Sequence, residues 1–71
     1  MELEWIAVES TRITHYAYDD QTETIYVAFP DGKRWLYGAC TPEVWEQIQY
    51  ADSNGRYIHQ ELNSHPNGPA D

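Results

Sequence analysis

Ala51-Asp52-Ser53-Asn54-Gly55-Arg56-Tyr57-Ile58 is the stretch on which the fold turns. An Asn-Gly pair ordinarily marks a β-hairpin with both residues at positive φ. Its flanks, however, do not alternate as strands do. Upstream, Val44, Ile48 and Ala51 recur at helical spacing, and downstream Ile58 and Leu62 stand four apart. The stretch therefore reads as the break between two helices. Ser53 is the expected N-cap of the second, over residues 54–63. Gly55 either takes a left-handed angle or lets the two helices approach closely.

Working back, Thr41 is a good N-cap and Pro42 a favoured first residue for a helix running to about Ala51. Glu43 complements its dipole. Val44, Ile48 and Ala51 form the buried stripe with Trp45 beside it, and Cys40 is placed to pack on Trp45 as a staple. Earlier still, residues 12–18 and 23–29 are β-branched and aromatic and read as strands, joined by the polar turn Asp19-Asp20-Gln21. Pro30-Asp31-Gly32 suits a type I turn closed by a left-handed glycine, which sets the register of a third strand over 33–38. Phe29 then faces Lys33, Val27 faces Trp35 and Ile25 faces Tyr37. Trp35 and Tyr37 thereby join Ile25 and Val27 on the core face, whereas a two-residue turn would send both aromatics to the other side.

The expected fold class is α+β: a small three-stranded antiparallel sheet followed by two short helices packed on one face. Residues 1–64 form one domain, and 65–71, rich in Pro, Gly and Asn, form a flexible C-terminal tail. A chain of 71 residues has a thin core and an expected net stability of roughly 3–5 kcal/mol. One cysteine excludes an internal disulfide, and with three scattered histidines it makes no structural zinc site. Self-association is the remaining way to bury more surface. Twelve acids against four bases give a net charge of −8, which disfavours nucleic acid as a partner. The absence of a long apolar run argues against a membrane span. The opening Met1-Glu2-Leu3-Glu4-Trp5 lacks the positive segment of a signal peptide, so a cytoplasmic location is expected.

An ordered set of residues carries a family resemblance. It comprises Ser10 and Ile13, Tyr18-Asp19, Ile25-Tyr26-Val27-Ala28-Phe29, Gly32 with Trp35-Leu36-Tyr37, and then Pro42, Ala51, Ser53, Gly55, Tyr57 and Leu62. From about Val8 to Leu62 the chain resembles the KTSC domain. That module is named after the C-terminal region of certain lysyl-tRNA synthetases and also occurs as free-standing bacterial and phage proteins. The resemblance implies three antiparallel strands followed by two helices, and by analogy with the synthetases an RNA-binding role. Two departures stand out. Trp35 replaces a tyrosine in the central aromatic motif. In addition, Glu61-Leu62-Asn63-Ser64-His65 replaces a basic, aromatic tail, which weakens the RNA reading.

Candidate sites follow from the same pattern. Cys40 with His15, His59 or His65 would be needed for a nucleophile, but no orienting third group is placed, and a staple residue with ordinary histidines explains them. Asp19, Asp20 and Asp52 fall in turns, where Asp bonds its own backbone, so no metal or cofactor is expected. No catalytic residues are assigned. Trp35 and Tyr37 could stack on bases, but register places them in the core. The opposite sheet face carries Tyr26, Ala28, Arg34 and Leu36, and helices can cover only one side; Tyr26, Arg34 and Leu36 are the first candidate binding group. A sheet edge could also pair with a second copy. Ser53, Asn54, Arg56 and Tyr57 at the second helix start are the other group, suited to a phosphate or carboxylate.

Three function classes result. The first is a non-catalytic binding module, self-associating or meeting a protein partner. The second is a binder or sequestering protein for a nucleotide-type small molecule, with aromatics on the base and Arg34 or Arg56 on a phosphate. The third is the RNA-binding module implied by resemblance.

Overall fold

The computed structural model describes residues 3–8, 12–51 and 53–70. Ser10 and Asp52, and the side chain of Asn54, lie outside what it describes. Among the described residues five strands run in chain order across one antiparallel sheet: β1 (Ile6–Ala7), β2 (His15–Asp19), β3 (Thr24–Ala28), β4 (Arg34–Tyr37) and β5 (Asn67–Pro69). Between β4 and β5 come α1 (Pro42–Tyr50), α2 (Asn54–Gln60) and a 3-10 turn, Leu62–Ser64. The class is α+β, but with five strands rather than three.

The β3–β4 hairpin has the expected register: Ile25 faces Tyr37, Val27 faces Trp35, and the Phe29 N–H donates to Lys33 O at 2.8 Å. Gly32, at φ +89°, takes the left-handed position and donates its N–H to Phe29 O. The frame set by Pro30-Asp31-Gly32 thus decides which side chains are core. Ile25, Val27 and Tyr37 are buried, together with Ile13, Tyr16, Cys40, Ile48, Ile58 and Leu62.

Both helix starts are capped as their residue types require. Thr41 Oγ1 accepts from the Val44 N–H, and Ser53 Oγ accepts from the Arg56 N–H. In α1, Ile48 is fully buried while Val44 and Trp45 are half-buried against the core. The Trp45 ring meets Tyr16 edge-on and stacks on Tyr18 at 5.3 Å, and Tyr18 Oη donates to Cys40 O at 2.7 Å. This aromatic triad ties the N-terminal half of α1 to β2.

The Asn-Gly stretch does join two helices. Gly55 is buried and has no left-handed φ. Its need is close approach, but to Arg12 rather than to the other helix. A Cβ there would stand 2.7 Å from Arg12 Cδ and 3.0 Å from Arg12 Cβ.

Two expectations are corrected. The stretch 65–71, expected as a flexible tail, instead supplies β5: Asn67, Gly68 and Pro69 pair with Tyr37, Leu36 and Trp35. Main-chain bonds from Gly38 N to Pro66 O (2.7 Å) and from Ala70 N to Arg34 O (3.1 Å) hold it there. The second helix ends at Gln60, short of 63, because the chain tightens into the 3-10 turn that drives Leu62 into the core.

Candidate binding surface

Alternation along the strands separates two faces. Tyr16, Tyr18, Ile25, Val27 and Tyr37 point to the side where α1 and α2 pack, since Ile48, Ile58 and Leu62 belong to the same core. The neighbours on these strands, His15, Ala17, Tyr26, Ala28, Arg34 and Leu36, therefore point to the open side. Tyr26 and Leu36 are directly paired and both half-buried, and Ala28 is paired with Arg34. Ala17, paired with Tyr26, is 0% exposed although no helix covers it, so larger neighbours shield this small central side chain.

Trp5, which was not singled out from the sequence, completes this face. The Arg34 guanidinium lies 5.4 Å from the Trp5 ring centroid, a cation–π arrangement. Trp5, His15, Ala28 and Arg34 line a shallow cavity of about 230 Å³. Thr14 Oγ1 donates to Ala28 O at 3.3 Å; with that proton committed, it accepts from His15 Nδ1 at 3.1 Å. His15 Nε2 is then left as the acceptor of the neutral ring. The only sequence signal for Trp5 is that it stands two residues from Ala7, the period of a strand.

The second candidate group lies on the helical side. Ser53, Arg56 and Tyr57 line a cavity of about 190 Å³ with Ala51 and Gln60. Their polar atoms are partly committed: the Ser53 hydroxyl caps α2, and Tyr57 Oη donates to Gln47 Oε1 at 2.8 Å, bridging the helices. The structure thus gathers Tyr26, Arg34 and Leu36 with Trp5 and His15, and places Ser53, Arg56 and Tyr57 elsewhere. Trp35 is half-buried on the helical side with its Nε1–H on Asn67 Oδ1 at 3.0 Å, so it and Tyr37 do not line the open face.

Cys40 and His65 do meet, with Sγ 3.7 Å from Nδ1. The geometry is wrong for an activated thiol. Gly38 O, 3.0 Å from that Nδ1, can only accept, so the ring proton sits on Nδ1 and points at the carbonyl. The thiol itself is 0% exposed, and its single proton has two carbonyl acceptors in reach, Tyr37 O and Gly38 O, both at 3.3 Å. Burial pushes its pKa above the ordinary thiol range, an Ile25 backbone contact partly offsets this, and the Glu23 charge adds to the rise. Asp19 acts as a turn residue, its Oδ1 accepting from the Gln21 N–H at 3.0 Å. Among the described residues no group of three metal-ligating side chains converges, and no helix is long and apolar enough to cross a membrane.

Comparison with known proteins agrees with this architecture. The family model for the KTSC domain matches residues 9–65. An uncharacterised protein from Stutzerimonas stutzeri is 33% identical over 55 residues, covering 78% of each chain. A protein from Tsukamurella paurometabola is 33% identical over 52 residues, covering 73% of this chain and 78% of its own. The crystal structure of a KTSC domain protein from Yersinia pestis superposes with a TM-score of 0.88 over 99% of this chain and 100% of that one, at 18% identity, which speaks to the fold.

Proposed function

The chain belongs to the KTSC domain family, and on that premise we propose that it is a small non-catalytic binding module whose open sheet face makes protein–protein contact, with a second copy of itself as the first partner. The observation that supports this most is the half-buried, paired Tyr26 and Leu36 on a face with no helix over it. With Trp5 and Arg34 they make an aromatic and apolar centre edged by charge, the composition of an interface core. The face is a better candidate than either edge. β1 has two residues, and β5 has three, ending in Pro69, which lacks an N–H; both devices blunt edge pairing.

Sedimentation velocity tests the reading. The wild-type chain is expected to self-associate at micromolar concentration, and Tyr26→Ala combined with Leu36→Asp to abolish association while circular dichroism stays unchanged. A wild-type monomer throughout the range, or a double variant that still associates, would remove the reading.

A second reading has one observation behind it: the cavity beside Trp5, His15 and Arg34 could take a flat, anionic, nucleotide-type ligand. Native mass spectrometry on gently purified protein separates the two. A retained mass of nucleotide size that is lost in Arg34→Ala would favour this reading. RNA binding finds support in the synthetase analogy alone and is opposed by the net charge of −8.

A further inference from the structure

A second surface lies away from the open sheet face and does not depend on it. Glu43, Glu46, Gln47 and Tyr50 recur at i, i+3, i+4 and i+7 and so form one outward stripe of α1, beside the inward stripe of Val44 and Ile48. With Ala51 and Tyr57 they line a groove of about 600 Å³ between the two helices. Tyr50, at 80% exposed, is far more open than a large ring with only a structural role.

Three features of this groove attract positive charge. Two carboxylates flank it, and among the described residues neither Glu43 nor Glu46 forms an ion pair. Two tyrosine rings supply π-faces, which draw guanidinium and ammonium groups. The last turn of α1 carries no basic residue to offset the negative end of the helix dipole. Arg56 does not line the groove; it lines the adjoining cavity, which shares Ala51 and Tyr57 with it.

We infer that this groove binds an arginine-rich or lysine-rich segment of another protein, with one cationic head over Tyr50 between Glu43 and Glu46. Charge complementarity selects that occupant. At this groove, with its two carboxylates, an anionic ligand is disfavoured and a second copy, with twelve acids against four bases, is a poorer match than a cationic segment. The Tyr57–Gln47 bridge fixes the groove wall in advance, so binding need not order it.

The test is a ¹⁵N NMR titration of the full chain with a capped tetra-arginine peptide at low salt. Amide shifts are expected to concentrate on residues 43–51 and Tyr57. Glu43→Gln with Glu46→Gln should weaken binding about tenfold, and Tyr50→Ala by roughly threefold to fivefold, from exposed ion pairs and one cation–π contact. These are exposed positions, so the fold is retained. Asp20→Asn with Asp31→Asn removes the same charge from turns outside the helices and should change affinity less than about twofold. Shifts spread over the whole acidic surface, equal losses in the two charge-matched variants, or no binding would each overturn the proposal. So would groove shifts that move with protein concentration in the absence of peptide, since the occupant would then be a second copy.

Discussion

The two faces of this sheet are built from the same strands and nearly the same residue types, yet they are buried to different degrees. Ile25 and Val27 alternate with Tyr26 and Ala28 on β3, and Tyr37 alternates with Leu36 on β4. The first set is 0–5% exposed under α1, α2 and the 3-10 turn, and the second is half-buried with no helix among the described residues packed over it. Hydrophobic side chains alone therefore do not make a core; a covering layer does. In so small a domain the helices can supply that layer once, so one face forms the core and the other stays open.

The sharpest way to break this contrast is to truncate one residue on each face. Ile25→Ala deletes a fully buried side chain and should cost about 3–4 kcal/mol, most of the stability expected for a domain this size. Leu36→Ala should cost about 1 kcal/mol or less. Urea denaturation measures both. Equal losses would mean that the open face is covered in solution, and a concentration-dependent midpoint for Leu36→Ala would identify a second copy as the cover.

Alkaline pH addresses the helical side specifically. Burial raises the pKa values of Tyr16 and Tyr37. It also raises those of Tyr18 and Tyr57, helped by nearby acids, and that of Cys40. Each group is an acid held neutral by the fold, so the unfolded chain loses its proton first. Their contribution is fully present below the unfolded values, about 8.5 for the thiol and about 10 for the phenols, and is lost as pH rises through the folded values. Urea midpoints should thus fall progressively above about pH 9, and Cys40→Ala should remove the earliest part of that fall. A midpoint insensitive to pH up to about 11 would contradict the assignment of these rings to the packed side.

How much of this was legible follows from what each element relies on. The hairpin register was readable because Pro30 and Gly32 impose a turn geometry locally, and both helix starts because Thr41 and Ser53 cap in place. Tyr26, Arg34 and Leu36 followed from that register. By contrast, β5 is Asn-Gly-Pro, three residues with turn-forming character and no β-branched or aromatic side chain. Its strand state comes from main-chain bonds to β4, a tertiary effect that local propensity does not encode. β1 has two residues, too few for a period to register, which is why Trp5 and its contact with Arg34 were missed. The meeting of Cys40 with His65 likewise depends on β5 docking and was invisible from spacing.

Gly55 offers a finer test, at the seam between the chain entering β2 and the helical layer. Alanine would gain about 1 kcal/mol in helix propensity but would press into the Arg12 side chain, a clash worth roughly 1–3 kcal/mol. A net loss of about 1 kcal/mol is expected for Gly55→Ala. In an Arg12→Ala background the Cγ and Cδ contacts vanish, so the same change should be near neutral. A double-mutant cycle with coupling below about 0.5 kcal/mol would show that Gly55 is there for another reason.

The smallest expected effect probes whether the sheet's last strand belongs to the packed side or merely borders it. Trp35 reaches Asn67 through its indole N–H, a partly exposed bond that fastens β5. Trp35→Phe keeps a ring on β4 and deletes that bond, at a cost of about 0.5–1 kcal/mol. The informative readout is local. Amide exchange should speed up at Gly38 and Ala70, whose N–H groups bridge β4 and β5. It should stay slow at Val27, whose side chain is in the core. If exchange instead accelerates at both, β5 is part of the cooperative core and its Asn-Gly-Pro sequence stabilises the domain despite its composition. If only the β4–β5 amides respond, the last strand is a separable edge, and opening it would expose the Cys40–His65 contact without unfolding the rest.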